Sequence, residues 1–238
     1  GNAVQLTMTI TSVNSCVGFT DTASYIVNID KLPTALSGNS TAICEQDTYT
    51  LAAGEATGLD GIISWTESGI GTLSGGTTET PSYVSAVGDA GNPVILTMTV
   101  ASNNACVGAT DSAKYTINIR PLLEAQVRLS AAEVCQNAPA QVIFETDKGS
   151  KPPYTISYTE NGVAGQITTI GTNKVAVLGA NSSVAGATTT YIVTNVADGN
   201  CNNAVSDTAT LTVNPLPAAT IAGGDKVCKD SVVKDVVF

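Results

Sequence analysis

The sequence contains no histidine and few aromatic or charged residues, and these shortages exclude several classes of function. Without histidine, the most common general base of enzymes and a frequent metal ligand are both absent. The six cysteines form no C-x-x-C pair, so the spacing typical of zinc sites is missing as well. We therefore predict a protein that is not an enzyme and that holds no cofactor and no metal.

The charge balance argues against two kinds of partner. Charged residues make up 13% of the chain and the net charge is −10, so phosphate groups of a nucleic acid could not be neutralised. An anionic membrane surface is disfavoured for the same reason, and no apolar run reaches the roughly 18 residues that cross a bilayer. A weakly acidic chain with little charge is typical of an extracellular protein, so we expect neither nucleic acid binding nor direct membrane insertion.

A long internal repeat sets the domain organisation. Residues 1–35 recur with more than half of their positions identical as residues 91–125, and a degenerate third copy begins at Cys201. A period of about 90 residues fits a string of small domains rather than a solenoid. We interpret the chain as a window on a longer array and predict four parts, namely the end of one repeat, two complete units and the start of a fourth: 1–33, 34–121, 122–216 and 217–238.

Alternating apolar residues and frequent turns predict strands in every part. Val4, Leu6, Met8 and Ile10 alternate with polar residues, and Val94 begins the same pattern in the copy. No segment shows a convincing helical period. Short strands with Gly- and Asn-rich turns between them favour an all-β fold of tandem immunoglobulin-like β-sandwiches. Each unit ends in a Pro/Leu segment that we expect to stiffen the junction, with these prolines: Pro33, Pro121, Pro215 and Pro217.

The cysteines fall into two classes within the repeat, and two pairings are compatible with their positions. Pairing within units joins Cys44 to Cys106 and Cys135 to Cys201. Cys16 and Cys228 would then each pair with a cysteine outside the window. Pairing across junctions joins these neighbours: Cys16–Cys44, Cys106–Cys135 and Cys201–Cys228. Across a junction, the extended chain would hold two sulfurs too far apart for a bond, so the within-unit pairing is preferred.

Four segments carry motifs of a known class of repeat. Residues 63–106 contain W-T-x-S-G-x-G, then P-x-Y and an L-T-x-T strand before a cysteine, and this resembles the PKD-like repeat of Bacteroidetes surface proteins. Three further segments, 152–162, 188–201 and 208–228, resemble the Ig-like repeat of the same proteins. The resemblance implies β-sandwiches in a large, exported adhesin of the kind linked to gliding motility and type IX secretion. It implies no ligand.

A short acidic motif recurs in register. Asp followed by Ser or Thr and a small or aliphatic residue resembles the O-glycosylation sequon of Bacteroidetes. The acceptors that this resemblance implies are Thr22, Ser112, Thr208 and Ser231. The alternative is that each aspartate opens a strand with a hydrogen bond from its side chain to the backbone.

Three further groups of residues have a functional and a structural interpretation. Trp65 either fills the core beside a disulfide or offers a stacking platform for a sugar. Glu67 and Glu79 could form a glycosidase pair, but charged loop residues are usually solvated. Aspartates in Gly/Asn turns could bind calcium, but none has the spacing of a dedicated calcium loop and turn formation is the preferred interpretation: Asp60, Asp89 and Asp198.

The sequence thus predicts a non-catalytic stalk or filament segment of a large bacterial cell-surface adhesin, located outside the cell and attached to the outer membrane. Its partners would be neighbouring repeats of the same polypeptide, and surface glycans or other cells through distal domains. The alternative is a carbohydrate-binding module of a secreted polysaccharide-degrading enzyme. Strand donation between subunits is a third possibility, although the two partial repeats are too short to build one full unit.

Overall fold

The structure, a computed structural model, describes residues 2–148, 151–220 and 228–230. Strands and turns make up these ranges, and no helix occurs in them, which confirms the predicted all-β class. The strands form three groups in chain order: an N-terminal hairpin, a first unit and a second unit.

The N-terminal hairpin consists of β1 (Asn2–Thr11) and β2 (Thr20–Ile29), paired antiparallel with Leu6 opposite Tyr25. The turn between the strands carries Cys16. Every residue of both strands is exposed, on the apolar face as well as the polar one. The hairpin is therefore half of a sandwich with no second layer among the described residues.

The first unit runs from Thr34 to Arg120 and forms two facing layers. Its strands are β3 (Thr34–Ser37), β4 (Ser40–Cys44), β5 (Thr48–Thr50), β6 (Ala56–Leu59), β7 (Gly61–Glu67), β8 (Thr72–Ser74), β9 (Ser82–Val84), β10 (Val94–Ser102) and β11 (Thr110–Arg120). One layer has the order β4-β11-β10-β7, and the other contains the pair β3-β6 and the sheet β5-β9-β8. β4 runs parallel to β11, whereas the other ladders are antiparallel.

The second unit runs from Ala125 to Asn214 and repeats this plan. Its strands are β12 (Ala125–Leu129), β13 (Glu133–Cys135), β14 (Gln141–Thr146), β15 (Thr155–Glu160), β16 (Val163–Thr168), β17 (Val175–Gly179), β18 (Thr188–Ala197) and β19 (Asn202–Asn214). The sheets have the orders β12-β14-β17 and β13-β19-β18-β15-β16, with β13 parallel to β19. Two mainly antiparallel sheets packed in this way form an immunoglobulin-type sandwich.

The period-2 alternation of the sequence explains which side chains form the core. Along β10, Val94, Leu96, Met98 and Val100 are buried and the residues between them are only partly so. On β11, Tyr115 faces the same core, and its hydroxyl group meets the Tyr49 hydroxyl at 2.9 Å. The second unit has a separate buried cluster that contains Phe144 and Tyr191, among others.

The breaks between strand groups lie at residues 30–33 and 121–124. The second of these, residues 121–124, is called the linker below. The limits 1–33, 34–121, 122–216 and 217–238 stay a prediction. Much of the last part, residues 221–227 and 231–238, lies outside the described residues.

Candidate functional site at the junction of the two units

A disulfide bond joins the first unit to the second. Cys44, the last residue of β4, bonds to Cys201, which lies in the turn before β19, with a distance of 5.9 Å between the Cα atoms. Both cysteines are almost fully buried, and Cys44 belongs to the buried cluster of the second unit. The bond spans 157 residues of sequence, so it connects two sandwiches rather than bracing one.

The predicted pairings Cys44–Cys106 and Cys135–Cys201 are wrong, because the two cysteines of one unit lie at its opposite ends. Cys44 is paired with Arg120 at the end of β11, whereas Cys106 precedes the start of that strand. The eleven residues of β11 span about 35 Å, far beyond the reach of a disulfide. The bond observed also excludes Cys16–Cys44 and Cys201–Cys228 from the alternative pairing.

The sequence did not reveal that two short strands pair in parallel with the last strand of their unit, β4 with β11 and β13 with β19. A parallel strand ends at the same edge of the sheet as its partner, so Cys44 and Cys135 lie at the end of their units where the chain leaves. The turn that carries Cys201 lies at the end where the chain enters. Two consecutive units therefore bring Cys44 and Cys201 together. Whether Cys16 and Cys228 pair outside the window stays a prediction.

Glu45 holds the linker from the side of the first unit. Its carboxylate accepts hydrogen bonds from the backbone N–H groups of Leu122 at 2.9 Å, Gly88 at 2.8 Å and Ala90 at 3.3 Å. Burial by itself raises the pKa of this carboxyl group, but the three N–H donors and the charge of Lys148 lower the pKa below its ordinary value of 4.5. The side chain is thus a buried anion that ties the linker to the first unit.

The second unit holds the linker from the other side. The Asn203 side-chain amide donates to the carbonyl oxygen of Leu123 at 2.8 Å, and Leu123 itself is fully buried in the core of the second unit. Lys148 forms an ion pair with Glu124. Both units therefore bind the short linker, in addition to the covalent bond beside it.

The turn that presents Cys201 is built around Asp198. One carboxylate oxygen of Asp198 accepts the N–H groups of Asn200 and Cys201, both at 2.7 Å, and the other accepts the N–H of Lys151 at 3.1 Å. This aspartate was a candidate calcium ligand, and the structure instead uses it to fix the cysteine. Neither Glu45 nor Asn203 was recognised from the sequence. The only available signal was a carboxylate directly after a cysteine in a chain with little charge.

The other calcium candidates are placed as follows. Asp89 is buried, and its carboxylate accepts the Tyr83 hydroxyl at 2.7 Å and the N–H groups of Ile70 and Ala86. Asp60 is exposed in a turn, with a φ of 57°. Among the described residues, no three metal-ligating side chains are grouped closely enough to hold an ion. The structure brings none of the predicted aspartates together.

The two glutamates considered as a glycosidase pair occupy ordinary structural positions. Glu79 accepts the backbone N–H of Gly58 at 3.1 Å. Glu67 is exposed at the end of β7. Neither glutamate is therefore in the position of a buried acid that protonates a leaving group.

Trp65 lies in the core of the first unit. The residue is 6% exposed, and its Nε1–H donates to the carbonyl oxygen of Thr78 at 2.8 Å. It packs in the buried cluster of that unit, whereas Cys44 belongs to the cluster of the second unit. The tryptophan is therefore a core residue, but not beside the disulfide, and its ring offers no face to a sugar.

The acidic motif has a structural role in both units. Asp111 accepts the N–H of Ala35 at 2.8 Å, and Asp207 accepts the N–H of Val127 at 2.7 Å, so each aspartate binds the first strand of its own unit. The hydroxyl-bearing residues that follow an aspartate are exposed in all three described copies: Thr22, Ser112 and Thr208. Ser231 lies outside the described residues. O-glycosylation stays a prediction that the exposure of these side chains permits.

Within the described ranges, the chain has no helix long and apolar enough to cross a bilayer. Comparisons with known proteins give no family. No protein-family model matches the chain, and no curated protein does.

Solved structures with similar arrangements include tandem immunoglobulin-like domains and parts of bacterial adhesins. An I-band fragment I67–I69 of titin is 13% identical, with a TM-score of 0.46 over 90% of this chain and 75% of that one. A 1.5-MDa bacterial ice-binding adhesin is 19% identical, with a TM-score of 0.37 over 73% of this chain and 61% of that one. A Ca²⁺-stabilized adhesin of an Antarctic bacterium is 13% identical, with a TM-score of 0.36 over 91% and 58%. These values indicate likeness of arrangement and nothing more.

Proposed function

We propose that the chain is a non-catalytic, load-bearing segment of the stalk of a large extracellular adhesin. The observation that carries this proposal is the disulfide between Cys44 and Cys201, which joins consecutive units rather than the sheets of one unit. A bond of that kind adds nothing to a binding pocket. It changes how the two sandwiches transmit force.

The bond shortens the covalent path along which a pulling force travels. A force applied at both ends of the chain reaches Cys44, crosses to Cys201 and leaves along β19. The residues between them, 45–200, include most of both sandwiches and lie in a closed loop that carries no load. Fully extended at about 3.4 Å per residue, this loop would add roughly 530 Å to the length of the chain, and the disulfide prevents that extension. The junction therefore resists stretching even after either sandwich unfolds.

The clamped linker complements the bond. Glu45 and Asn203 hold consecutive residues of the linker, one from each unit, so the two units are restrained in bending as well as in separation. A stalk that extends an adhesive tip needs both properties. A freely hinged linker would let the array collapse.

The finer location also belongs to this proposal. The buried disulfide suits an oxidising, extracellular compartment. The motifs of residues 63–106 support a surface protein attached to the outer membrane, exported by type IX secretion and used in gliding motility. In that setting the partners are neighbouring repeats, and surface glycans or other cells through distal domains. The buried position of Trp65 removes the main support for a carbohydrate-binding module, which we do not propose.

Single-molecule pulling on the 238-residue chain tests the proposal. Handles at the two ends should record a total extension about 530 Å shorter for the oxidised chain than for the same chain in reductant. The variants Cys44→Ser and Cys201→Ser should each match the reduced chain, and Cys135→Ser is the matched control that should not. Equal extension of the oxidised and reduced chains would contradict the load-bearing role.

A further inference from the structure

Cys135 repeats the local geometry of Cys44 at the far end of the second unit. Cys44 is paired with Arg120 and Cys135 with Asn214, each at the end of the last strand of its unit. The next residue in each case donates its N–H to that partner's carbonyl oxygen at 2.9 Å, from Glu45 and from Gln136. The residue after that has a positive φ in both copies, 68° at Gln46 and 64° at Asn137. We call Cys44 and Cys135 the strand-end cysteines.

Cys106 repeats the placement of Cys201 at the near end of the first unit. The N–H of Cys106 donates to the Asn104 side chain at 2.9 Å, as that of Cys201 donates to Asp198. Asn104 donates its side-chain amide to the carbonyl oxygen of Lys31 in the segment that enters the first unit, as Asn203 does to Leu123. We call Cys106 and Cys201 the hairpin-turn cysteines.

The thiol of Cys106 already lies against the preceding junction. Its Sγ is 3.7 Å from the carbonyl oxygen of Lys31 and 3.9 Å from that of Asp30. Cys135 is exposed at the opposite end of the two-unit body. Neither has a disulfide partner among the described residues. Cys106 occupies in the first unit the position that Cys201 has in the second, and Cys135 occupies in the second unit the position that Cys44 has in the first. Both positions face a neighbouring unit.

We propose that Cys106 and Cys135 are half-bridges of a disulfide ladder that runs along the whole array. Each strand-end cysteine bonds the hairpin-turn cysteine of the following unit. Cys106 bonds to the strand-end cysteine of the unit to which β1 and β2 belong. Cys135 bonds to the hairpin-turn cysteine of the unit that follows Asn214. Both partners lie in polypeptide outside the 238 residues. The inference rests on the repeat geometry and not on adhesion.

The bonds form by thiol–disulfide exchange with a disulfide-bearing oxidant of the extracellular compartment. One cysteine thiolate attacks the oxidant's disulfide and releases one of its sulfurs as a thiolate. The second cysteine thiolate then attacks the mixed disulfide and releases the other sulfur. The protein loses two protons and two electrons, and the oxidant is reduced to two thiols.

A complete ladder would turn one polypeptide into two interleaved covalent tracks. Each track follows the chain from a hairpin-turn cysteine to the strand-end cysteine of the next unit, as from Cys106 to Cys135, and then crosses a bond. Such a segment is about 29 residues, which extends to roughly 100 Å at most. The segments between the tracks, residues 45–105 and 136–200, carry no load.

Disulfide mapping of the native polypeptide tests the ladder. The protein is taken from its source without reductant, its thiols are blocked with N-ethylmaleimide in acid, and it is digested for mass spectrometry. The expected result is a Cys106 peptide linked to a peptide of the preceding unit and a Cys135 peptide linked to one of the following unit. Blocked Cys106 or Cys135, or a bond between them, would overturn the ladder while leaving the Cys44–Cys201 bond and the stalk intact.

A fusion chain tests the pairing rule with known sequence. A second copy of residues 123–216 placed directly after Leu216 restores the spacing of the linker and presents a new hairpin-turn cysteine to Cys135. Oxidation should bond Cys135 of the first copy to Cys201 of the added copy. The control Cys135→Ser should leave that Cys201 open to the blocking reagent. If the added Cys201 bonds a cysteine of its own unit instead, the rule is wrong.

Discussion

Leu6 and Leu96 occupy the same position in two copies of one hairpin, yet Leu6 is 56% exposed and Leu96 is fully buried. Each faces a tyrosine across its ladder, Tyr25 in the first copy and Tyr115 in the second. The difference comes from the second layer of the sandwich, which covers Leu96 in the first unit and which the N-terminal hairpin does not have among the described residues. The same leucine in two related hairpins therefore contributes unequally to stability.

This pair gives a matched test of the core. Leu96→Ala should lower the free energy of unfolding by about 3 kcal/mol, because it leaves a cavity in a packed core. Leu6→Ala should change it by less than about 0.5 kcal/mol, since the side chain already contacts water. Chemical denaturation of the whole chain measures both. Similar losses in the two variants would mean that the N-terminal hairpin is covered in solution.

The buried carboxylate at the junction makes stability depend on pH. The pKa of Glu45 is lowered in the folded protein, so its contribution is present above the ordinary value of 4.5 and is lost as pH falls through the folded pKa. Glu45→Gln keeps only one acceptor oxygen for three N–H donors and should cost about 1–3 kcal/mol near neutral pH.

The difference in stability between wild type and Glu45→Gln should shrink as the solution is acidified below that value. Thermal melts of both proteins across this range measure it. Glu67→Gln, at an exposed position of the first unit, is the control for removal of one carboxylate and should cost less than about 0.5 kcal/mol near neutral pH. A constant difference at every pH would contradict the assignment of Glu45 as a buried anion.

The aspartates of the repeated motif differ in what they bind, and this separates their structural role from the sequon. Asp111→Ala removes the acceptor of the Ala35 N–H and should destabilise the first unit by about 1–2 kcal/mol. Asp21→Ala removes only a local bond from the Thr22 N–H in an exposed hairpin and should have almost no effect. Equal losses of stability in denaturation experiments would rule out the contact between Asp111 and the first strand.

Glycosylation at the same motif is measured on native material. Intact mass and peptide mapping should find hexose-sized increments on the exposed acceptors Thr22, Ser112 and Thr208, and on Ser231. Replacement of the preceding aspartate should remove the increment at that site. Unmodified peptides at all four positions would leave the aspartates with their structural role alone.

Alternation along the chain predicted the strands and most of the core, because a period of two assigns each side chain to a face regardless of what lies opposite. The alternation correctly predicted that Val94 and Tyr115 face the core. It also predicted which side of β1 is apolar, but it could not show that this side is exposed. The sequence could not reveal the disulfide, because chain order does not tell at which end of a sandwich a short strand stops. The parallel ladder of Arg120 with Cys44 decides that question, and only the structure contains it.

The most direct test of a covalent junction is disulfide mapping of the 238-residue chain, oxidised, blocked with N-ethylmaleimide and digested without reductant. The structure predicts a cross-linked pair of peptides that carry Cys44 and Cys201, with Cys106 and Cys135 blocked as free thiols. Cross-links of Cys44 to Cys106 and of Cys135 to Cys201 would show that each sandwich is braced within itself, and would contradict the account.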